Sequence, residues 1–136
     1  MKKILFACVL GVTLFFSSCS KDQKVVKDLE GTWTVSSWKT GGTEQINAAR
    51  TMSMTFENCK VKKGDCGGSA VITTATVPST SSFTYNIQEK GTIINIDFAD
   101  DNIDDVVGGT VVEHSDTKVK YTYTVNTVTN EFELTK

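Results

Sequence analysis

Apolar and polar residues alternate along most of the chain beyond residue 30. In residues 51–57, Met52, Met54 and Phe56 fall on one face, while threonine, serine and glutamate fall on the other. A period of two is typical of an antiparallel strand with one buried and one wet face. The alternation and the enrichment in threonine, valine and aromatic residues predict about eight strands, at residues 32–39, 51–57, 69–77, 82–88, 92–98, 110–114, 118–125 and 131–135.

The connections between these strands are short and carry turn residues. Before the first strand, Val25 and Leu29 have the i, i+4 spacing that predicts one or two helical turns over part of a core. Short connections without intervening helices favour an antiparallel meander, whose edges a closed barrel would remove. The periodicity leaves both a barrel and a sandwich open. Turns are predicted at residues 41–42, 64, 78–79, 89–91, 108–109, 115–116 and 126–127.

The first 18 residues have the features of a secretory signal peptide. Lys2 and Lys3 precede an apolar run at residues 4–16, and small residues follow at Ser17 and Ser18. The run is too short to span a hydrocarbon core of about 30 Å, which needs about 20 helical residues. A basic start, a short apolar run and a small-residue end together indicate a cleaved signal.

The cysteine that follows defines the expected anchor. The sequence F-S-S-C at residues 16–19 resembles the lipobox of bacterial lipoproteins, which implies that Cys19 becomes an N-terminus acylated with chains such as palmitate. Two or more acyl chains hold a protein stably at a membrane, whereas one does not. Ser20 stands where an aspartate would resemble the inner-membrane retention signal. We therefore expect an outer-membrane lipoprotein, with the periplasmic face and the cell surface both open.

Cleavage before Cys19 gives a simple domain organisation and an acidic mature chain. The expected parts are a signal peptide at 1–18, a lipidated tether at 19–28 and one β domain at 29–136. Removal of two lysines from 14 basic residues leaves 12, against 16 acidic residues, a net charge of −4. The chain has no basic stripe with interleaved aromatics, which argues against nucleic acid as a partner.

Cys59 and Cys66 are the two cysteines that remain after cleavage and acylation. Structural zinc needs four ligands, and His114 is the only histidine. Thioredoxin-type chemistry uses C-x-x-C on an α/β scaffold, which differs in both spacing and fold. In an oxidising compartment a disulfide is the default. We therefore expect a Cys59–Cys66 disulfide across a hairpin, with free thiols and metal binding as the alternatives.

Residues 29–33 read L-E-G-T-W, and this opening of the first strand resembles the lipocalins. Together with the lipobox and the short tether, it is similar to the small lipocalin-like lipoproteins of Gram-negative bacteria. The resemblance implies an all-β, eight-stranded antiparallel up-and-down β-barrel. It also implies that Trp33 packs across the barrel base and that Gly31 lets the backbone pass close to a neighbouring strand. An arginine near the last strand, another lipocalin signature, is absent. A META-type β domain, which also opens with G-T-W, is the alternative fold.

Two polar stretches contain residue types that occur in functional sites. Asp100, Asn102 and Asp104 match the first alternating positions of a calcium-binding EF-hand, but Asp105 and Val111 replace the glycine and the glutamate that complete such a loop. A solvated loop at the barrel mouth is the simpler interpretation, with weak calcium binding as the alternative.

The stretch His114-Ser115-Asp116 contains the residue types of a hydrolytic triad. Consecutive residues cannot form the required chain of hydrogen bonds, because a triad is assembled from separate parts of a fold. The sequence has no second histidine and no paired catalytic carboxylates on facing strands. It therefore indicates a protein that is not an enzyme and that needs no metal or other cofactor.

The inward face of the predicted barrel is the remaining candidate site. An eight-stranded barrel either holds one small ligand or is filled by its own side chains, and methionines let a pocket adapt to varied apolar molecules. Residues 40–50, with Gly41, Gly42, Ile46 and Arg50, would form a lid beside the mouth. The expected ligand-lining residues are Met52, Met54, Phe56, Phe83, Tyr85, Ile94, Ile96, Tyr121 and Tyr123.

These observations favour a lipid-anchored lipocalin-like protein that binds or carries a small apolar ligand. Its expected partners are the membrane, through the anchor, and that ligand. The alternative is a structural or adhesive surface lipoprotein whose barrel is packed and whose outer face binds a protein or a glycan.

Overall fold

The computed structural model describes residues 20–136 as a closed eight-stranded antiparallel up-and-down β-barrel, which confirms the expected fold class. The signal peptide and Cys19 lie outside the described residues. No helix between residues 20 and 136 is long and apolar enough to cross a membrane. The elements are α1 (Lys21–Leu29), β1 (Gly31–Thr40), β2 (Thr43–Glu44), β3 (Arg50–Phe56), β4 (Cys66–Thr74), β5 (Val77–Gln88), β6 (Ile93–Phe98), β7 (Val106–His114), β8 (Lys118–Val125) and β9 (Val128–Thr135), with 3₁₀ turns at Val61–Lys63 and Glu89–Gly91.

The sheet closes on itself through its first strand. β1 pairs with β3 near the start of β1 and with β9 along the rest of its length, and every other barrel strand pairs with its neighbours in sequence. The two-residue β2 is an extra partner for the end of β1. The β1–β9 pairing decides between the barrel and the sandwich that the periodicity left open.

One end of the barrel, called here the base, is closed by α1. Ser20 caps the helix, since its hydroxyl accepts the backbone N–H three residues later at 3.1 Å. Val25, Val26 and Leu29 are buried among the strand side chains. The predicted helical turns are thus confirmed, and α1, which precedes residue 29 for most of its length, packs against the barrel. The opposite end is called the mouth.

Two predicted turns are wrong, and the first is the turn at residues 78–79. The β4–β5 turn lies at Ala75-Thr76, where both residues have positive φ, 48° and 74°. Pro78 lies inside β5, opposite Thr73. β6 pairs with β5 only from Phe83 onward, so the N–H that proline lacks has no partner strand to meet. Proline is tolerated in a strand at such an unpaired edge.

The second wrong turn is Gly108-Gly109, which lies inside β7. Ile94 and Ile96 of β6 face Gly109 and Val106, so β7 has an extra residue here and forms a bulge. Gly108 has φ +63°, a conformation that glycine adopts without steric cost. β7 therefore begins at Val106, four residues earlier than predicted.

Candidate functional site

The mouth half of the barrel encloses a cavity of about 630 Å³. Four strands end at the mouth (β1, β4, β6 and β8), and the other four barrel strands begin there (β3, β5, β7 and β9). The cavity lies between these strand ends. Ligand pockets in proteins commonly measure about 300–1,000 Å³. The cavity has the size of a site for one small molecule.

Three of the expected lining residues lie in the cavity wall, namely Met52, Tyr121 and Tyr123. The other six belong to strand segments nearer the base, where they pack against one another. The ring centroids of Phe56 and Tyr85, for example, are 5.1 Å apart in an edge-to-face contact. The expectation that they line a cavity is therefore corrected: the lower half is filled by its own side chains, which include Met54, Phe56, Phe83, Tyr85, Ile94 and Ile96.

Four aromatic side chains form one side of the cavity, called here the aromatic wall (Trp38, Tyr121, Tyr123 and Phe132). Phe132 stacks on Trp38 at 5.1 Å and on Tyr121 at 5.3 Å between ring centroids. Burial raises the pKa of Tyr123 to about 12 and the pKa of Tyr121 well above its ordinary value. Both hydroxyls are therefore neutral at pH 7, and the wall is apolar and uncharged.

Trp38 and Phe132 are the wall residues missing from the expected lining, and only Trp38 departs from the alternation of its strand. Strict alternation from Trp33 and Val35 would place Ser37 inside the barrel and Trp38 outside. A β-bulge between Val35 and Ser37, opposite Glu133, adds one residue to β1 and reverses the facing of the residues beyond it. The two consecutive serines in this stretch are the only hint of the bulge in the sequence.

Arg50, the only arginine of the chain, lies at the first position of β3 beside the aromatic wall. Its guanidinium carbon is 4.5 Å from the ring centroid of Trp38, within the range of a cation–π interaction. Arg50 Nε and Trp38 Nε1 are both buried and make no hydrogen bond. The mouth therefore has a fixed cation with unused donors beside an apolar surface.

The acidic loop at residues 99–105 lies across the mouth from Arg50, and Asp100 and Asp104 face the cavity. Asp100 Oδ1 accepts hydrogen bonds from the backbone N–H and the side-chain amide of Asn102, at 3.0 and 2.7 Å. These bonds, the backbone one first, lower the pKa of Asp100. Asp105 accepts the backbone N–H of Phe98 at 2.9 Å. Carboxylates here thus stabilise the loop conformation itself.

Residues 40–50, expected to form a lid, are held against β1 beside the mouth. The Glu44 carboxylate accepts the Ser37 hydroxyl at 2.6 Å and the backbone N–H groups of Trp38 and Ile46 at 2.8 and 3.1 Å. The bond from Ser37, aided by the two backbone bonds, holds the pKa of Glu44 below its ordinary value. Glu44 thereby occupies the part of the β1 edge that β3 leaves unpaired, and Ile46 packs against the core.

Trp33 lies at the base, as the lipocalin resemblance implies. It is fully buried, and its indole N–H donates to Leu29 O at 2.6 Å. Lys136 places its ammonium 4.3 Å from the centroid of the Trp33 ring and donates to Glu30 O at 2.7 Å. The sequence lacks the arginine of the lipocalin signature near the last strand, and sequence reasoning missed that Lys136 places a cation there.

Gly31 begins β1 with φ +109°, which favours glycine. A Cβ at this position would meet only the Lys136 side chain, at 3.6 Å, an ordinary contact. Close passage of a neighbouring strand, the expected reason for this glycine, is therefore not the reason. The positive φ of residue 31 is what favours glycine here.

The expected disulfide between Cys59 and Cys66 is confirmed, with 5.4 Å between the two Cα atoms. It joins the start of β4 to the loop that follows β3, at the base. The side chain of Gln23 in α1 donates to Cys59 O at 2.8 Å and accepts the backbone N–H of Val61 at 3.1 Å. The disulfide loop is therefore attached to the helix that closes the base, away from the cavity.

The residues of the triad-like stretch have separate contacts. His114 Nδ1 lies 3.2 Å from Asp28 Oδ2 and links β7 to α1. Ser115 Oγ donates to Lys118 O at 3.2 Å within the β7–β8 turn. These contacts hold a turn and a helix at the base.

The fold and the cavity define a small β-barrel with a closed base and an open, aromatic-walled mouth. Comparison of the chain with protein-family models, with curated proteins and with solved structures gives no match.

Proposed function

We propose that this protein is a lipid-anchored, lipocalin-like carrier that binds a small apolar molecule in the mouth half of its barrel. The observation that carries the proposal is the cavity of about 630 Å³. Its aromatic wall offers large apolar contact area, and Met52 offers an adaptable thioether. The packed lower half gives the cavity a floor, so a bound molecule would be held from below and released through the mouth.

The anchor is the second part of the proposal and rests on the sequence of residues 1–20. The signal-like start and the F-S-S-C stretch support acylation of Cys19, and Ser20 supports sorting to the outer membrane. The G-x-W opening supports the relation to lipocalin-like lipoproteins, together with the barrel fold.

Native mass spectrometry of protein isolated from its own cells without refolding tests ligand carriage. We expect an additional non-covalent mass that is absent from the Ser79→Trp variant, because Ser79 lies in the cavity wall near the mouth and an indole there would fill the entrance. Thr80→Trp is the matched control, since Thr80 is exposed and is not part of the wall. Detection of only the polypeptide and its acyl chains in the wild type would contradict the proposal.

Fractionation of cells tests the anchor. Cys19→Ala should move the protein from the membrane fraction to the soluble fraction, because it removes the site of acylation. Cys8→Ala, within the expected signal peptide, is the matched control and should leave the protein in the membrane fraction. A Cys19→Ala protein that stays with the membrane would exclude the lipoprotein assignment.

A further inference from the structure

Two neighbouring N–H groups at the mouth lack acceptors. Among residues 20–136, the buried side-chain nitrogen and oxygen atoms without a hydrogen bond are Arg50 Nε and Trp38 Nε1, and no others. An unpaired buried donor is costly, and protein folds leave few of them. Both are donors, both belong to the cavity wall, and the guanidinium lies over the indole ring. Both nitrogens are closed to solvent, but the terminal guanidinium nitrogens of Arg50 are not among these buried atoms and also make no hydrogen bond within residues 20–136, so they are open to an acceptor that enters the cavity.

The charge of Arg50 is also uncompensated. No ion pair among residues 20–136 includes Arg50. Its backbone is fixed by two hydrogen bonds with Asn47, at 2.9 and 3.1 Å, and by pairing with Thr74 of β4. A guanidinium presents a planar fork of donors that matches two oxygens of a carboxylate or a phosphate. The acceptor that best fits this site is therefore anionic.

The acidic loop does not neutralise the guanidinium. Around the barrel, β4 and β5 separate β3 from β6, which precedes the loop. Three strand positions therefore separate Arg50 from the loop, and no carboxylate of the loop forms an ion pair with the guanidinium. Asp100 and Asp104 disfavour anions on their own side of the mouth, which leaves the Arg50 side for an anion.

The depth of the cavity limits the apolar part of the ligand. Met52 lies two residues below Arg50 along β3, and Met54 lies four residues below it, in the packed half. The Tyr121 hydroxyl donates to the Met54 sulfur at 3.9 Å. At about 3.4 Å per residue, the floor is at most about 14 Å below the Arg50 backbone. A compact apolar body fits this depth, with its polar group at the mouth.

We propose that the ligand is amphipathic, with a compact apolar body and an anionic oxygen head group that the Arg50 guanidinium binds beside the Trp38 ring. The proposal rests on the proposed function, because it specifies the head group of a molecule held in the same cavity. Carboxylate and phosphate share the required chemistry.

Calorimetric titration with four eight-carbon probes tests the proposal: octanoate, octyl phosphate, octan-1-ol and octyltrimethylammonium. The full chain is used after extraction of bound small molecules, and titration into protein-free buffer is the blank. We expect octanoate or octyl phosphate to bind between about tenfold and about a hundredfold more tightly than octanol, as for a hydrogen-bonded charged group. The tighter of the two anions identifies the head group.

Arg50→Met should remove the preference for the anions, so that octanoate and octyl phosphate bind no more tightly than octanol. Lys39→Met is the matched control, because Lys39 follows Trp38 on β1 but is not part of the cavity wall. In NMR spectra the chain has a single arginine Nε–H signal and two indole N–H signals. The anion should shift the signals of Arg50 Nε–H and Trp38 Nε1–H, and octanol should not.

Each remaining outcome is decisive. Equal binding of octanol and the anions, or tighter binding of the ammonium probe, overturns the head-group assignment and leaves the carrier function intact. Binding of no probe to the wild type counts against ligand carriage itself, and the head-group assignment fails with it. Unshifted Arg50 and Trp38 signals in the presence of a bound anion place that anion elsewhere and also overturn the assignment.

Discussion

Replacing Trp33 with alanine should lower the free energy of unfolding by about 3–5 kcal/mol, the usual cost of truncating a fully buried tryptophan. The side chain lies where α1, the start of β1 and the C-terminal residue meet, so its loss removes contacts from all three. The indole N–H bond to Leu29 and the Lys136 cation over the ring disappear with it. Urea unfolding followed by circular dichroism measures the change.

Two further variants serve as comparisons for Trp33→Ala, one at the base and one in the cavity wall. Trp33→Phe retains most of the apolar volume and should cost less than the alanine variant, since it removes mainly the hydrogen bond and part of the ring. Trp38→Ala, in the cavity wall, should cost less than Trp33→Ala, because Trp38 is only partly buried and already borders open space. A loss below about 1 kcal/mol for Trp33→Ala would contradict the packing described for the base.

Removing the disulfide should have the second-largest effect. The double variant Cys59→Ser/Cys66→Ala should unfold with a free energy about 2–3 kcal/mol lower, the value expected from chain entropy for a loop of this length. Alanine is chosen at position 66 because this residue is buried, and a serine hydroxyl there would need a partner. Urea unfolding without reductant measures the effect.

A reductant provides the control for the disulfide prediction. Wild-type protein unfolded with reductant should approach the double variant, and the variant itself should not respond. Peptide mapping without reduction should recover the segment containing Cys59 joined to the segment containing Cys66. Alkylation of both cysteines in the folded wild type would mean that the bond is not formed in the native protein.

The period-two pattern was sufficient to predict the barrel strands, because burial of one face imposes the pattern on every strand. The helix over Val25 and Leu29 could be predicted from their spacing, and the disulfide from the expected compartment. Pro78 and Gly108 led to wrong turns for a different reason. Each is a common turn residue. An unpaired strand edge also tolerates a proline, however, and a β-bulge also tolerates a glycine with positive φ. The unpaired edge and the bulge can be recognised only when the partner strand is known.

The candidate site could be predicted only in part. Met52, Tyr121 and Tyr123 follow from alternation, whereas Trp38 lies beyond a bulge that reverses the alternation. Whether the barrel is filled or open at a given height depends on the summed volume of the inward side chains that all eight strands contribute at that height. Met54 and Met52 have the same residue type and the same facing, yet one fills the core and the other borders the cavity. Local sequence does not contain that difference.

The early start of α1 has a consequence for orientation. Residue 19 is two positions before Lys21, so at most about 7 Å of chain separates it from the helix. The start of the helix is fixed to the base, where Asp22 accepts the backbone N–H of Gly91 at 2.7 Å. If Cys19 is acylated, the base therefore rests on the bilayer surface and the mouth faces away from it. A bound molecule would then exchange with the surrounding aqueous phase or with a partner arriving from it, rather than sideways from the lipid.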